Sequence, residues 1–239
     1  MSSATRGEYL AAMGLQAWSL RAGRAAGAGA PTGSVAAPDT HAAADAPAGI
    51  AREGAFDWAQ LRDRVAACTR CGLSATRTQT VFGVGNLHAQ WLVIGEAPGA
   101  EEDRAGEPFV GRAGQLLNSM LRALGLAREQ VYIANILKCR PPHNRDPKAA
   151  ESALCLPFLE RQIALLKPKI VLVVGRIAAQ NILHTEESLA RLRKRVHAYG
   201  ADRVPLIVTY HPAYLLRTPA DKRKAWEDLK LAREVFARG

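Results

Sequence analysis

The chain has 239 residues, 48% of them hydrophobic and 23% charged, the composition of a globular protein long enough for one well-cored domain plus extensions. No apolar run approaches the length that crosses a bilayer, which excludes a helical membrane protein. The formal net charge of +10 favours a polyanionic partner, because each Lys or Arg that pairs with a phosphate releases counterions; a solvated basic surface accounts for the same number.

Residues 1–21 include RGEYLAAMGLQAWSL, whose apolar positions recur at helical spacing and predict an amphipathic helix. The start carries no basic-then-apolar leader pattern and places Glu8 early, so the expected location is cytoplasmic, in the bacterial cytosol or nucleoid. Residues 22–52, dominated by Ala, Gly and Pro, cannot bury a core and read as a flexible linker. The first helix is thereby tethered and available to the body or to a protein partner. Residues 53–239 are globular in composition.

Within that domain, FDWAQLRDRVAAC reads as a helix that delivers Cys68. The chain has four cysteines: Cys68 and Cys71 in a C-x-x-C pair, then Cys139 and Cys155. In a reducing cytoplasm they are thiolate ligands before they are disulfides. One C-x-x-C alone is a redox pair or half a zinc site, but four cysteines in one α/β domain suggest a single four-thiolate centre. Zinc accepts four cysteines, yet zinc ribbons pair two short knuckles, and here fifteen residues separate Cys139 from Cys155. The layout points toward an iron–sulfur cluster.

Four short runs rich in β-branched and aromatic residues follow: WLVIG at 91–95, VYIANIL at 131–137, IVLVVG at 170–175 and PLIVTYH at 205–211. Each precedes a helical pattern, near 113–124, 147–166, 176–183 and 221–237. The alternation predicts an α/β fold, a parallel sheet between helix layers, and right-handed crossovers leave few topologies. Ligands of such sheets bind beyond the carboxyl ends of the strands. There the chain places Glu96 after the first run, Asn135 at the second and His211 after the fourth. A lone Asn or His would be read as a satisfied core group; three polar groups at corresponding strand ends predict a site.

The loop GEAPGAEEDRAGEPFVGRAGQLL, 95–117, carries Glu96, Glu101, Glu102 and Asp103 within eight positions of a basic protein. Its glycines let backbone N–H groups turn toward a ligand, and it matches neither the Walker A nor the G-x-G-x-x-G pattern. Phe109 in this loop is a stacking face or a hydrophobic plug. In HPAYLLR, the run Tyr214-Leu215-Leu216 with Arg217 and the downstream Lys222, Arg223 and Lys224 resembles a wedge with phosphate contacts, and the simpler role for Leu215 and Leu216 is to start the packing of the last helix.

Taken together, GEAPGAEEDRAGEPFVGRAG, YIANILKCRPPHNRDP, HPAYLLR and the four cysteines closely resemble the iron–sulfur (family 4) uracil-DNA glycosylases, over roughly residues 56–237. The resemblance implies a three-layer αβα sandwich around a four-stranded parallel sheet of order 2-1-3-4. It implies a 4Fe–4S cluster on Cys68, Cys71, Cys139 and Cys155, and hydrolysis of the N-glycosidic bond of uracil in single- or double-stranded DNA, by a monomer. By motif, Phe109 stacks on the flipped base, Asn135 reads its Watson–Crick edge and His211 faces its O2. Glu96 and Glu102 match the acidic positions linked to catalysis in the family, and Arg140, Arg145, Leu215 and Arg217 are expected to meet DNA. Classical members of the wider superfamily place an aspartate two residues after the motif glycine; here that place is Ala97, a small residue typical of family 4. The loop CRPPHNRDPKAAES lacks the inserted basic loop through which some relatives trap the sugar, so His143 is not read as a nucleophile. The alternative from another class is a non-catalytic iron–sulfur DNA-binding protein, which leaves the polar strand ends and the aromatic loop unexplained.

Overall fold

The structure, a computed structural model, describes residues 56–239; the expected N-terminal helix, the linker and residues 53–55 lie outside the described residues. Helix α1 (Trp58–Ala66) starts at a reciprocal cap, in which the Asp57 carboxylate accepts from the Gln60 N–H at 2.9 Å and the Gln60 amide oxygen accepts from the Asp57 N–H at 3.2 Å. Its Leu61 and Val65 pack with Phe82 and Phe158, and the helix ends just before Cys68.

The sheet has six strands: β1 (Val84–Gly85), β2 (Trp91–Gly95), β3 (Tyr132–Asn135), β4 (Ile170–Val174), β5 (Val196–Tyr199) and β6 (Val204–Thr209), in the order β1-β3-β2-β4-β6-β5. The expected four-stranded sheet is therefore corrected to six. The four predicted runs form its parallel centre, β3-β2-β4-β6, and two antiparallel strands, β1 on β3 and β5 on β6, close the edges. The edge strands escaped the sequence reading for physical reasons. β1 is two residues long, and β5 (VHAY) alternates exposed with half-buried positions, so neither makes an apolar run.

The central strands are buried on both faces, as parallel strands covered by helices must be. On one face Trp91, Val93, Ile133, Leu172 and Ile207 pack beneath α3 (Arg112–Ala123), α7 (Pro212–Arg217) and α8 (Lys222–Arg238). On the other, Leu92, Ile94, Ala134, Val173 and Val208 pack beneath α4 (Ala149–Leu166), α5 (Arg176–Leu183) and α6 (Leu189–Leu192). One further short helix, α2 (Ala100–Ala105), lies in the loop after β2. Among the described residues no helix is long and apolar enough to cross a membrane.

Candidate active site and cysteine cavity

Register brings the predicted polar strand ends together. Gly95 of β2 pairs with Asn135 of β3, and β6 ends at Thr209, two residues before His211. Asn135 is 2% exposed, and its amide oxygen is buried with no hydrogen-bond partner among the described residues. Phe109 meets it over Gly95, where an added Cβ would collide with both the Asn135 oxygen and the Phe109 ring, so only glycine fits. The Phe109 and His211 rings lie 5.6 Å apart between centroids, tilted by 32°. An aromatic face, an imidazole and an unpaired buried acceptor thus share one edge of the sheet.

The state of His211 follows from its surroundings. It caps α7, its Nδ1 accepting from the Ala213 N–H at 3.1 Å, which leaves the ring proton on Nε2. Burial, with Arg217 nearby and against a smaller opposing effect of Glu102, pulls its pKa down to about 4. At neutral pH it is a neutral ring with one N–H to donate. Glu96 is half-buried beyond β2; burial raises its pKa, Asp146 raises it further and Arg176 opposes.

Glu102 is placed differently from Glu96. Its carboxylate accepts from three backbone N–H groups: Gly99 at 3.0 Å, Val110 at 3.1 Å and Gly111 at 3.2 Å. Two of these follow Phe109, which sits in the left-handed region at φ 55°, an unusual conformation for a bulky residue. From the other side Arg128 donates to the Pro108 carbonyl at 2.6 Å and to Asn118 at 3.1 Å. Helix α3 approaches so closely at Gly114 that a Cβ there would strike the Phe109 carbonyl. Phe109 is therefore held on three sides, and Arg128, which carries no motif signal, was invisible in the sequence. Asp103 of the same acidic run is buried and accepts from the Thr78 N–H at 3.0 and 3.1 Å, binding the loop to the segment beyond Cys71.

The predicted DNA-facing residues divide. Arg217 is exposed at the end of α7 and Arg140 is half-buried, its Nε donating to Asn144 at 2.7 Å. Arg145 makes a two-pronged pair with Glu151, at 2.6 and 2.9 Å, so its guanidinium fork already has a carboxylate partner. Leu215 is corrected: it is 1% exposed and belongs to the core beneath α3, because the helical turn of HPAYLLR points it inward and leaves Leu216, at 36%, facing solvent. Ala97 packs against the Leu73, Leu137 and Cys139 cluster.

The four cysteines line one cavity, walled by Val65, Leu73, Leu137, Leu154 and Phe158. Two of their sulfurs accept hydrogen bonds: Cys139 from Arg77 at 3.1 Å and Cys155 from the Lys138 N–H at 3.2 Å. Burial raises the Cys139 thiol and pushes Cys155 up to about 12, while Arg77 and Lys138 respectively work against those shifts. Among the described residues, no three His, Cys, Asp or Glu side chains converge on a point that would hold one metal ion.

Comparison with known proteins agrees with this geometry. Residues 82–230 match the family model of the uracil DNA glycosylase superfamily. The chain is 41% identical over 177 residues to a type-4 uracil-DNA glycosylase of Archaeoglobus fulgidus, covering 72% of this chain and 89% of that one. It is 42% identical over 180 residues to one of Thermotoga maritima, covering 74% and 93%. Similarity to a type-5 uracil-DNA glycosylase of Pyrobaculum aerophilum is lower, 31% over 146 residues.

Proposed function

The chain belongs to the type-4 uracil-DNA glycosylases, and on that premise we infer that it takes uracil out of the DNA stack and hydrolyses its N-glycosidic bond at the carboxyl edge of the sheet. The observation that carries the reading is the buried, unpartnered amide oxygen of Asn135 beside the Phe109 ring. Uracil presents an N3–H to such an acceptor. Cytosine presents a lone pair there, and that mismatch would leave two buried acceptors facing each other. Phe109 supplies the stacking face.

Bond cleavage leaves electron density on the uracil O2 and positive charge on the sugar. The neutral His211 offers its Nε2–H to that oxygen without having to lose a proton, and a donor held ready by the protein needs no reorganisation. Among the described residues the Glu96 side chain, unlike that of Glu102, makes no bond to backbone N–H groups; it balances the sugar cation or orients water. Glu102, notwithstanding its place in the motif, serves the reaction by holding Phe109 through the Val110 and Gly111 N–H groups. Of the two leucines in the wedge run, the exposed Leu216 takes the wedge role, with Arg217 and Arg140 on phosphates.

The cysteine cavity suits a 4Fe–4S cluster held by Cys68, Cys71, Cys139 and Cys155. Its four thiols line one space with largely apolar walls, and N–H groups bond two of the sulfurs, the kind of hydrogen bond that tunes an iron–sulfur centre. Cys68 and Cys71 after α1, Cys139 in the loop after β3 and Cys155 within α4 would hold the cluster, which would tie these segments together; the residues of the base pocket carry out the chemistry.

The test is excision from an oligonucleotide with one uracil, read as alkali-labile strand breaks, beside cytosine and thymine controls. Breaks at uracil alone are expected. Tight DNA binding without breaks would instead select a non-catalytic iron–sulfur DNA-binding protein.

A further inference from the structure

No Asp or Glu lines the cysteine cavity, yet Arg70, Arg77 and Lys138 do; Arg70 lies over the Phe158 ring, 5.4 Å from its centre, and the other two are held by hydrogen bonds at the cavity. The Arg77 guanidinium donates to the Ala66 carbonyl at 3.0 Å, the Cys68 carbonyl at 2.8 Å and the Cys139 sulfur at 3.1 Å. Lys138 is 1% exposed, and its ammonium donates to the Asn135 carbonyl at 2.9 Å and the Gln162 amide oxygen at 2.6 Å. Gln162 is fully buried and is itself held by Phe82 and Tyr132. Among the described residues neither cation has a carboxylate partner. For Lys138, taken out of water with only neutral acceptors around it, the charge is costly unless an opposite charge stands nearby, whereas Arg77 is half-buried and is tied to the cavity by its direct bond to the Cys139 sulfur. The groups at hand that can carry that charge are the four cysteine sulfurs.

We propose that Arg77 and Lys138 are the built-in counter-charge of the iron–sulfur centre, Arg77 through a direct N–H···S bond and Lys138 through its field behind Cys155. The proposal rests on the cluster reading given above. Four thiolates outweigh the positive iron–sulfur core, so the loaded centre is anionic, and reduction adds one more negative charge. Nearby cations and hydrogen bonds to the sulfurs therefore favour the reduced form and slow loss of the cluster. Arg77 has a second effect, because the same fork that bonds Cys139 holds the Cys68 carbonyl and so fixes two ligand segments against each other. Lys138 also holds the Asn135 carbonyl, which connects this charge to the strand end that reads the base.

The experiment uses the full chain purified without oxygen, with iron per chain, midpoint potential by film voltammetry and the rate of iron loss to a chelator as readouts. Wild-type protein is expected to hold iron. Arg77→Met and Lys138→Met are each expected to move the potential to more negative values and to release iron severalfold faster. Arg77→Lys keeps the charge without the fork, and should recover the potential more than the iron retention. Should Lys138→Met not fold, Gln162→Glu places a carboxylate against the same ammonium and is expected to give the same negative shift. Iron-loaded variants with wild-type potential and wild-type iron loss would overturn the proposal and leave the cluster reading standing. Wild-type protein without iron would overturn the cluster reading itself, and this proposal with it.

Discussion

Burial acts with opposite sign on the base His211, whose pKa it lowers, and the acid Glu96, whose pKa it raises. His211, held down at about 4, is already neutral well below physiological pH, so excision is expected to show no inflection near the ordinary histidine value. Glu96 is raised by burial, so activity should fall as pH drops through its elevated pKa, and Glu96→Gln should abolish that limb along with most of the rate. A pH–rate profile of both proteins checks this. The stability sign is separate: between about 4 and 6.5 the unfolded chain binds the His211 proton and the folded chain does not, so His211 makes folding less favourable as pH falls across that window. His211→Ala should lower single-turnover excision by about 10²–10³-fold, the usual effect of losing one preorganised donor, with an unchanged circular-dichroism spectrum. Arg128→Ala removes a charge-assisted hydrogen bond behind Phe109, normally about 1.5–3 kcal/mol. It should weaken binding of DNA carrying a non-hydrolysable 2′-fluoro-2′-deoxyuridine, and combine less than additively with Glu102→Gln. If Glu102 acted on the reaction itself, Glu102→Gln would slow excision and leave that affinity intact.

At the level of elements, α7 decides where His211 and Leu216 sit, and a buried network holds α7. Arg193 grips Asp228 of α8 at 2.6 and 3.0 Å, donates to the Tyr210 hydroxyl at 3.0 Å and lies 4.2 Å from that ring's centre. Thr209 at the end of β6 donates to the same carboxylate at 2.8 Å, and Tyr210 stacks on Tyr214 of α7 at 5.1 Å. Breaking a buried pair on one side leaves an unpaired charge and costs about 3–5 kcal/mol. Asp228→Ala should therefore lower the melting temperature by several degrees and excision more than melting alone explains, because the His211 turn loosens. Leu215→Ala should cost about 2–5 kcal/mol as a core truncation. Leu216→Ala, at an exposed position, should leave the melting temperature nearly unchanged and slow excision from duplex more than from single-stranded DNA, a comparison that separates the two leucines.

For the whole molecule, the charge of +10 makes DNA association an ionic process, and its affinity should fall linearly on a log–log plot against salt. Cys139→Ser should lower stability and DNA affinity together, since Cys139 belongs both to the cavity wall and to the loop that carries Arg140. Local signals were enough for much of this. Alternation of apolar runs and helical patterns marked the parallel centre of the sheet. The four cysteines drew attention to what folds as one cavity, and the polar residues after the runs marked the edge where Asn135, Phe109 and His211 meet. All of these depend on neighbours along the chain. Which leucine of HPAYLLR faces solvent, which carboxylate is committed to backbone N–H groups, and whether Arg145 is free depend on groups brought together from other segments. So do the Arg128 support of Phe109 and the Arg193–Asp228 pair. The sequence by itself determined the parallel centre of the sheet and the kinds of residue at its edge, because periodicity and composition are local; tertiary structure alone decided the edge strands and the partners, because strand pairing, hydrogen bonding and desolvation are set by which surfaces folding presses together.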